Sequence, residues 1–268
     1  MKLTDILNES INLSRYYDEF TKIVHETLDK IIHDDNYQIY TSDDYYKNGK
    51  KRQTKQSKFS LDPIKCGQAL AKSLKYKCME IIKSISKSKY VNEFSLHFGH
   101  ISSAGKCQGL VITIDIEKVL APIINELNIS KDAWGISVNS LVGVITHELV
   151  HAIQNLNAWE NRKFDNSVAS HGDGSKEGYM DYFSHPTEIA AFAHNFASII
   201  IEEHLKTSTP PNLTAIPSIV KSYLRNVFSE EDWKNPKNFK TLKKYYTLVY
   251  KEVVDYMEHK EKKKSTPI

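Results

Sequence analysis

Cysteine is scarce in this chain of 268 residues. The three present, Cys66, Cys78 and Cys107, are scattered and odd in number. That argues against a disulfide framework and against a cysteine-built metal site. Long hydrophobic runs are also missing. No apolar stretch approaches the ~20 residues that cross a bilayer as a helix, so no membrane partner is expected. There is no glycine-rich phosphate loop and no internal repeat. Charge of either sign is in small excess: Lys and Arg number 36 against 33 Asp and Glu, a net charge of +3. So small a surplus does not by itself argue for a nucleic-acid partner, and none is expected. The segment Met1–Ser10 is amphipathic with an early acid, unlike a cleaved export signal. Together with the reduced-thiol pattern, this sets the expectation of a cytoplasmic protein, with virion association left open.

What is present suits a globular domain: 40% of residues are apolar and 26% charged. Apolar residues from Ile6 through Tyr17, Phe20, Val24 and Leu28 to Ile31 recur at helical spacing, predicting helix over the first ~45 residues. A polar stretch from Tyr46 to Lys58 carries Lys47, Lys50, Lys51, Arg52, Lys55 and Lys58, and reads as an exposed basic loop. Leu61–Ser88 reads as helix again. Phe94–Phe98 and Leu110–Ile116 read as strands, with Ser102–Gly109 as the hairpin loop between them. Helices are expected over Ile216–Val227 and Lys240–Met257. The expected division is a helical region with a basic loop (1–60), a main domain (61–257) and a flexible Lys-rich tail (258–268). The fold class is α+β, mostly α, with a small sheet or hairpin ahead of the helix described next.

His147-Glu148-Leu149-Val150-His151 is the one stretch that names a chemistry. Residues four apart share a helix face, so both imidazoles can point at one metal ion. Glu148 reaches a water beside that ion rather than the ion itself. Val138, Leu141, Val142, Ile145, Leu149, Val150 and Ile153 surround the motif at helical spacing. A His-Glu-His seam on so apolar a helix is costly unless something satisfies it.

A catalytic site of this kind needs a third protein ligand. A third His six residues after His151 is ruled out, because Asn157 stands there and Gln154 occupies the accompanying Gly position. A Glu from a later helix fits better. Pro186 suits a first helical turn, Glu188 follows it, and Ala191 and Ala193 permit close approach to the first helix. His171 and Asp173 are rival ligands in a Gly-rich stretch. His185 and His194 flank Glu188, where ordinary hydrogen-bonded histidines are the commoner case.

H-E-L-V-H followed by P-T-E-I-A-A-F-A resembles the gluzincin class of zincin-like zinc metallopeptidases, over residues 138 to 200. The wording around it is similar to small phage and bacterial putative metallopeptidases. The resemblance implies Zn2+ held by His147, His151 and Glu188, with Glu148 as general base. One departure stands out. The thermolysin branch has an Asp four residues after the Glu ligand, to hold a ligand His, and here that position is Phe192. Asn195, a backbone carbonyl or an acid elsewhere must then do that work.

The chemistry so implied is hydrolysis of a peptide bond in a protein or peptide substrate. Tyr182 is the first choice to stabilise the oxyanion, with Tyr179 and His171 as alternatives. The substrate would lie as an added strand on a sheet edge. Two other readings stay open: a catalytically silent, zincin-shaped binding module, and a metallohydrolase of a non-protein amide. Nothing in the chain indicates its oligomeric state.

Overall fold

A computed structural model describes residues 13–47, 50–86, 88–160 and 175–265, without the side chains of 40–47, 50–59, 89, 160 and 263–265. Helix α1 (Tyr17–Ile32) buries Phe20, Val24, Leu28 and Ile31. Residues 1–12 of the expected helix lie outside the described residues, and at its other end the helix stops at Ile32, short of the ~45 expected. The side chain of Asp34 accepts from Asn36 N–H and turns the chain into strand β1 (Gln38–Lys47), which pairs antiparallel with β2 (Lys50–Leu61). The stretch expected as a basic loop is therefore the outer part of a β-ribbon. Its strands are polar, so no apolar alternation marked them.

Helix α2 (Pro63–Ile85) starts where Asp62 caps Ile64 and Lys65 with Pro63 in the first turn. Strands β3 (Ser95–Gly99), β4 (Gly105–Gln108) and β5 (Val111–Asp115) form one sheet in the order β3-β5-β4. This departs from the expected hairpin. β3 and β5 pair in parallel, and the supposed loop supplies β4, which lies antiparallel on the far side of β5. Asp115 makes the crossing possible. Its Oδ2 accepts from Ile101 N–H at 2.8 Å and its Oδ1 from Lys118 N–H at 2.7 Å. Gly109, at φ +63°, makes the tight β4–β5 turn.

The remaining helices are α3 (Ala121–Ser130), α4 (Asn139–Glu160), α5 (Lys176–Ser184), α6 (Pro186–Thr207), α7 (Ile216–Leu224) and α8 (Pro236–Ser265). The α+β, mostly helical class is thus what the chain adopts. The central helix is α4: Leu141, Val142, Ile145, Leu149, Val150, Ala152, Ile153 and Leu156 are all fully buried. The sheet covers one side of α4 and α6 the other, and α6 in turn packs on α8. Helix α8 continues to Ser265 through most of the expected flexible tail. Tyr256 donates to Asp18 Oδ1 at 2.8 Å and Lys260 lies 3.5 Å from Asp18 Oδ2, which hold this end against α1. No helix among the described residues is long and apolar enough to cross a membrane.

Candidate metal centre

His147 and His151 stand one turn apart on α4, and Glu188 projects from the first turn of α6. Pro186 opens α6 after His185, so Glu188 enters just as the helix passes α4. The two helices approach closely because small residues face each other: a Cβ at Gly143 would still clear Asn195 and Ser198 of α6 by 3.7 Å. Apolar burial thus brings Glu188 beside two histidines, the nearer of which lies 37 positions before it in the chain. His147 and Glu188 are 7% and 5% exposed.

The donor atoms converge. Nε2 of His147 and Nε2 of His151 are 3.2 Å apart. Glu188 places Oε2 at 3.7 Å from the first and Oε1 at 3.4 Å from the second. Ligand bonds of ~2.0–2.2 Å at tetrahedral angles put donors ~3.3–3.6 Å apart. With one ligand atom from each residue the three donors lie within 4.8 Å of one another, a group that could close on one metal ion. The remaining chemistry fits as well. Glu188 Oε2 is buried without a hydrogen-bond partner, a cost that a cation among the donors offsets. Behind His147 the backbone carbonyl of Ala191, as a hydrogen-bond acceptor, opposes the burial-driven fall of its pKa. Burial, then the neighbouring His151 and His194, drive the His147 pKa well below its ordinary value, so it stays in the neutral, ligating form. For His151, burial pulls the pKa down, but the hydrogen bond and charge of Glu188 outweigh it and the net shift is upward.

Each imidazole is oriented from behind. His151 Nδ1 lies 3.1 Å from Gln154 Oε1, and Gln154 Nε2 donates to Thr187 O at 3.4 Å. With Nδ1–H donating to Gln154, the Nε2 lone pair faces the centre. Gln154 was passed over in the sequence as the wrong residue for another motif. Its signal was position, three residues after His151 on the same face. His147 is held differently. The ring of Phe192 meets it edge-on, with centroids 4.5 Å apart. The residue that breaks the thermolysin pattern therefore supplies packing where that pattern has a carboxylate. Asn195 does not replace it: its Oδ1 is buried without a partner.

Glu148, 7% exposed, faces the sheet. Its carboxylate lies directly over Gly105 of β4, where a Cβ would come within 2.7 Å of Oε1. Burial pushes its pKa up to about 7, with His151 opposing and Glu188 adding to the rise. Tyr182, on α5, packs on Phe183 and Phe192 and hydrogen-bonds the Glu188 carboxylate. Burial, then Glu188, hold its hydroxyl protonated. Tyr179 is 42% exposed. His171 and Asp173 lie outside the described residues. His185 sits 2.6 Å from Thr187 Oγ1 at the start of α6. His194 turns to α8, with Nδ1 3.2 Å from Glu252 Oε2.

No protein-family model, curated protein or solved structure matches this chain.

Proposed function

We propose that the chain is a zinc-dependent peptide-bond hydrolase of the gluzincin type. The observation that carries this reading is the convergence of His147, His151 and Glu188, whose donor atoms lie within 4.8 Å of one another. Glu148 lies on the same helix turn and its pKa is raised towards neutrality. A purely structural metal site has no use for such a base.

In this reading His147, His151 and Glu188 hold the ion, which when bound polarises the scissile carbonyl and acidifies water. Glu148 accepts a proton from the attacking water and passes it to the leaving amine. Burial raises the basicity of this carboxylate, which favours its taking the proton. Tyr182 keeps its proton and hydrogen-bonds Glu188, and in this reading it turns from there to serve the developing oxyanion as a neutral donor. β4 is an edge strand with Gly105 beside Glu148, so an extended peptide added to that edge runs past the base.

Metal analysis of purified wild type beside Glu188→Ala and Glu148→Gln tests the proposal. One zinc per chain is expected in wild type and in Glu148→Gln, with sharply weakened binding in Glu188→Ala. Hydrolysis of an unfolded protein such as casein is expected from wild type only. Zinc bound equally by Glu188→Ala, or hydrolysis undiminished in Glu148→Gln, would overturn the assignment.

A further inference from the structure

The β1–β2 ribbon carries a charge pattern that the proposed hydrolysis does not use. Between residues 38 and 61 stand six cations, Lys47, Lys50, Lys51, Arg52, Lys55 and Lys58, against Asp43 and Asp44. The ribbon's net charge is thus +4 while the whole chain's is +3, so everything outside it nets −1. The modest surplus of the chain hides a strong local one.

The register concentrates it further. Lys47 pairs with Lys50, Tyr46 with Lys51 and Tyr45 with Arg52, so four cations and two tyrosines fill the last three rungs. Like charges directly opposite each other destabilise a ribbon. A register that pairs cation with cation suits a polyanion as partner. At the other end the ribbon is tied to the body: Leu61 N–H donates to Asn128 Oδ1 of α3 at 3.2 Å. A two-stranded ribbon with so few apolar residues gains little from burial, and its sequence favours a solvated arm.

We propose that this ribbon is a binding arm for duplex DNA. The major groove of B-DNA, ~12 Å wide, admits a two-stranded β-ribbon, whereas the deep, narrow major groove of duplex RNA does not. The ten residues of β1 span roughly 33 Å, about one turn of the duplex. The irregularity between Ser42 and Asp44 adds local twist, which suits a ribbon that follows a groove. The cations at the tip meet phosphates. This inference stands apart from the metal centre and survives its failure.

The test is fluorescence anisotropy of a labelled ~20-base-pair duplex titrated with the full chain at several salt concentrations. Each phosphate contact contributes ~0.9 to the slope of log K against log salt. Four contacts therefore predict a ~150-fold loss of affinity between about 50 and 200 mM salt. The triple variant Lys50→Gln, Lys51→Gln, Arg52→Gln keeps one of the four, and should bind weakly with only a ~3-fold salt effect. Lys50→Arg with Lys51→Arg should bind as wild type does. Far-ultraviolet circular dichroism and the thermal unfolding midpoint check that each variant is folded. No saturable binding near 50 mM salt would overturn the proposal. So would an unchanged salt slope in the triple variant, or equal competition by duplex RNA or polyglutamate. In any of those cases the lysines serve only to keep the ribbon's free edges from pairing.

Discussion

Replacing Gly105 with alanine probes the seat of the proposed base. The new Cβ would stand 2.6 Å from Val144 Cγ1, 2.7 Å from Glu148 Oε1 and 2.9 Å from Glu148 Cγ. Ordinary carbon contacts lie at ~3.5–4.0 Å, so all three overlap by roughly half an ångström or more. Val144 is β-branched and in a helix, where one χ1 rotamer dominates, so it yields poorly. Glu148 can swing, but only by leaving its position beside β4. Overpacking of this kind costs ~1–3 kcal/mol. At ~2–4 °C per kcal/mol, the Tm should fall by roughly 5 °C. The assay is thermal unfolding of wild type, Gly105→Ala, Val144→Ala and the double variant. Truncating Val144 removes one of the clashes, so the two changes should couple by ~1 kcal/mol. Zinc affinity should hold within a few-fold, since none of the three clashing contacts is made with a ligand residue. An unchanged Tm in Gly105→Ala, or strictly additive effects in the double variant, would refute the reasoning.

Other outcomes follow from the same structure. Glu252→Ala should cost about 1–3 kcal/mol in urea unfolding, because it leaves the buried His194 Nδ1 facing no carboxylate; His194→Leu with Glu252→Met should cost less. Asp115→Ala removes the acceptor for Ile101 and Lys118 and should cost about 2–3 kcal/mol, read as a shift of the urea midpoint. Burial lowers the pKa of His25 in the folded protein below the 6.5 of the open chain, against the opposing hydrogen bond to Ala133 O. The unfolded chain then takes up this proton first, so the contribution of His25 is present above pH 6.5 and is lost as pH falls through that value and on to the lower folded one. The Tm difference between wild type and His25→Gln should therefore shrink or reverse between pH 8 and pH 5.5, and a constant difference would contradict it.

The seam of His147, Glu148 and His151 was legible because it rests on local geometry. A separation of four residues on a helix sets two imidazoles side by side whatever the surroundings, and Pro186 fixed where α6 begins. Its partner atoms were less so. With Phe192 in the place of an acid, support for the histidines was expected from Asn195, a backbone carbonyl or a distant acid; behind His147 it is the Ala191 carbonyl that stands there, beside the packed ring of Phe192. β4 was unreadable because nothing within Gly105–Gln108 favours a strand. It exists through pairing with β5 and through α4 beneath it, where Asn155 donates to Gly109 O at 3.0 Å. The parallel pairing of β3 with β5 was hidden for the same reason. The ribbon escaped notice because apolar alternation is the cue for strands, and its own are polar. The last helix outran its apolar pattern because Lys and Glu sustain helix well, and Asp18 anchors it from a distant part of the chain.

Within the described residues β4 has a strand neighbour on one side only, which leaves a row of backbone donors and acceptors along its other side. Such a row attracts any extended chain, including the same strand of another molecule. Lys106 and Gln108, both exposed, alternate along β4 with the half-buried Gly105 and Cys107. Two such edges brought together would set lysine near lysine. A lone unfolded peptide brings no such repulsion, so the edge can discriminate between a guest and its own twin before any side chain of the guest is read.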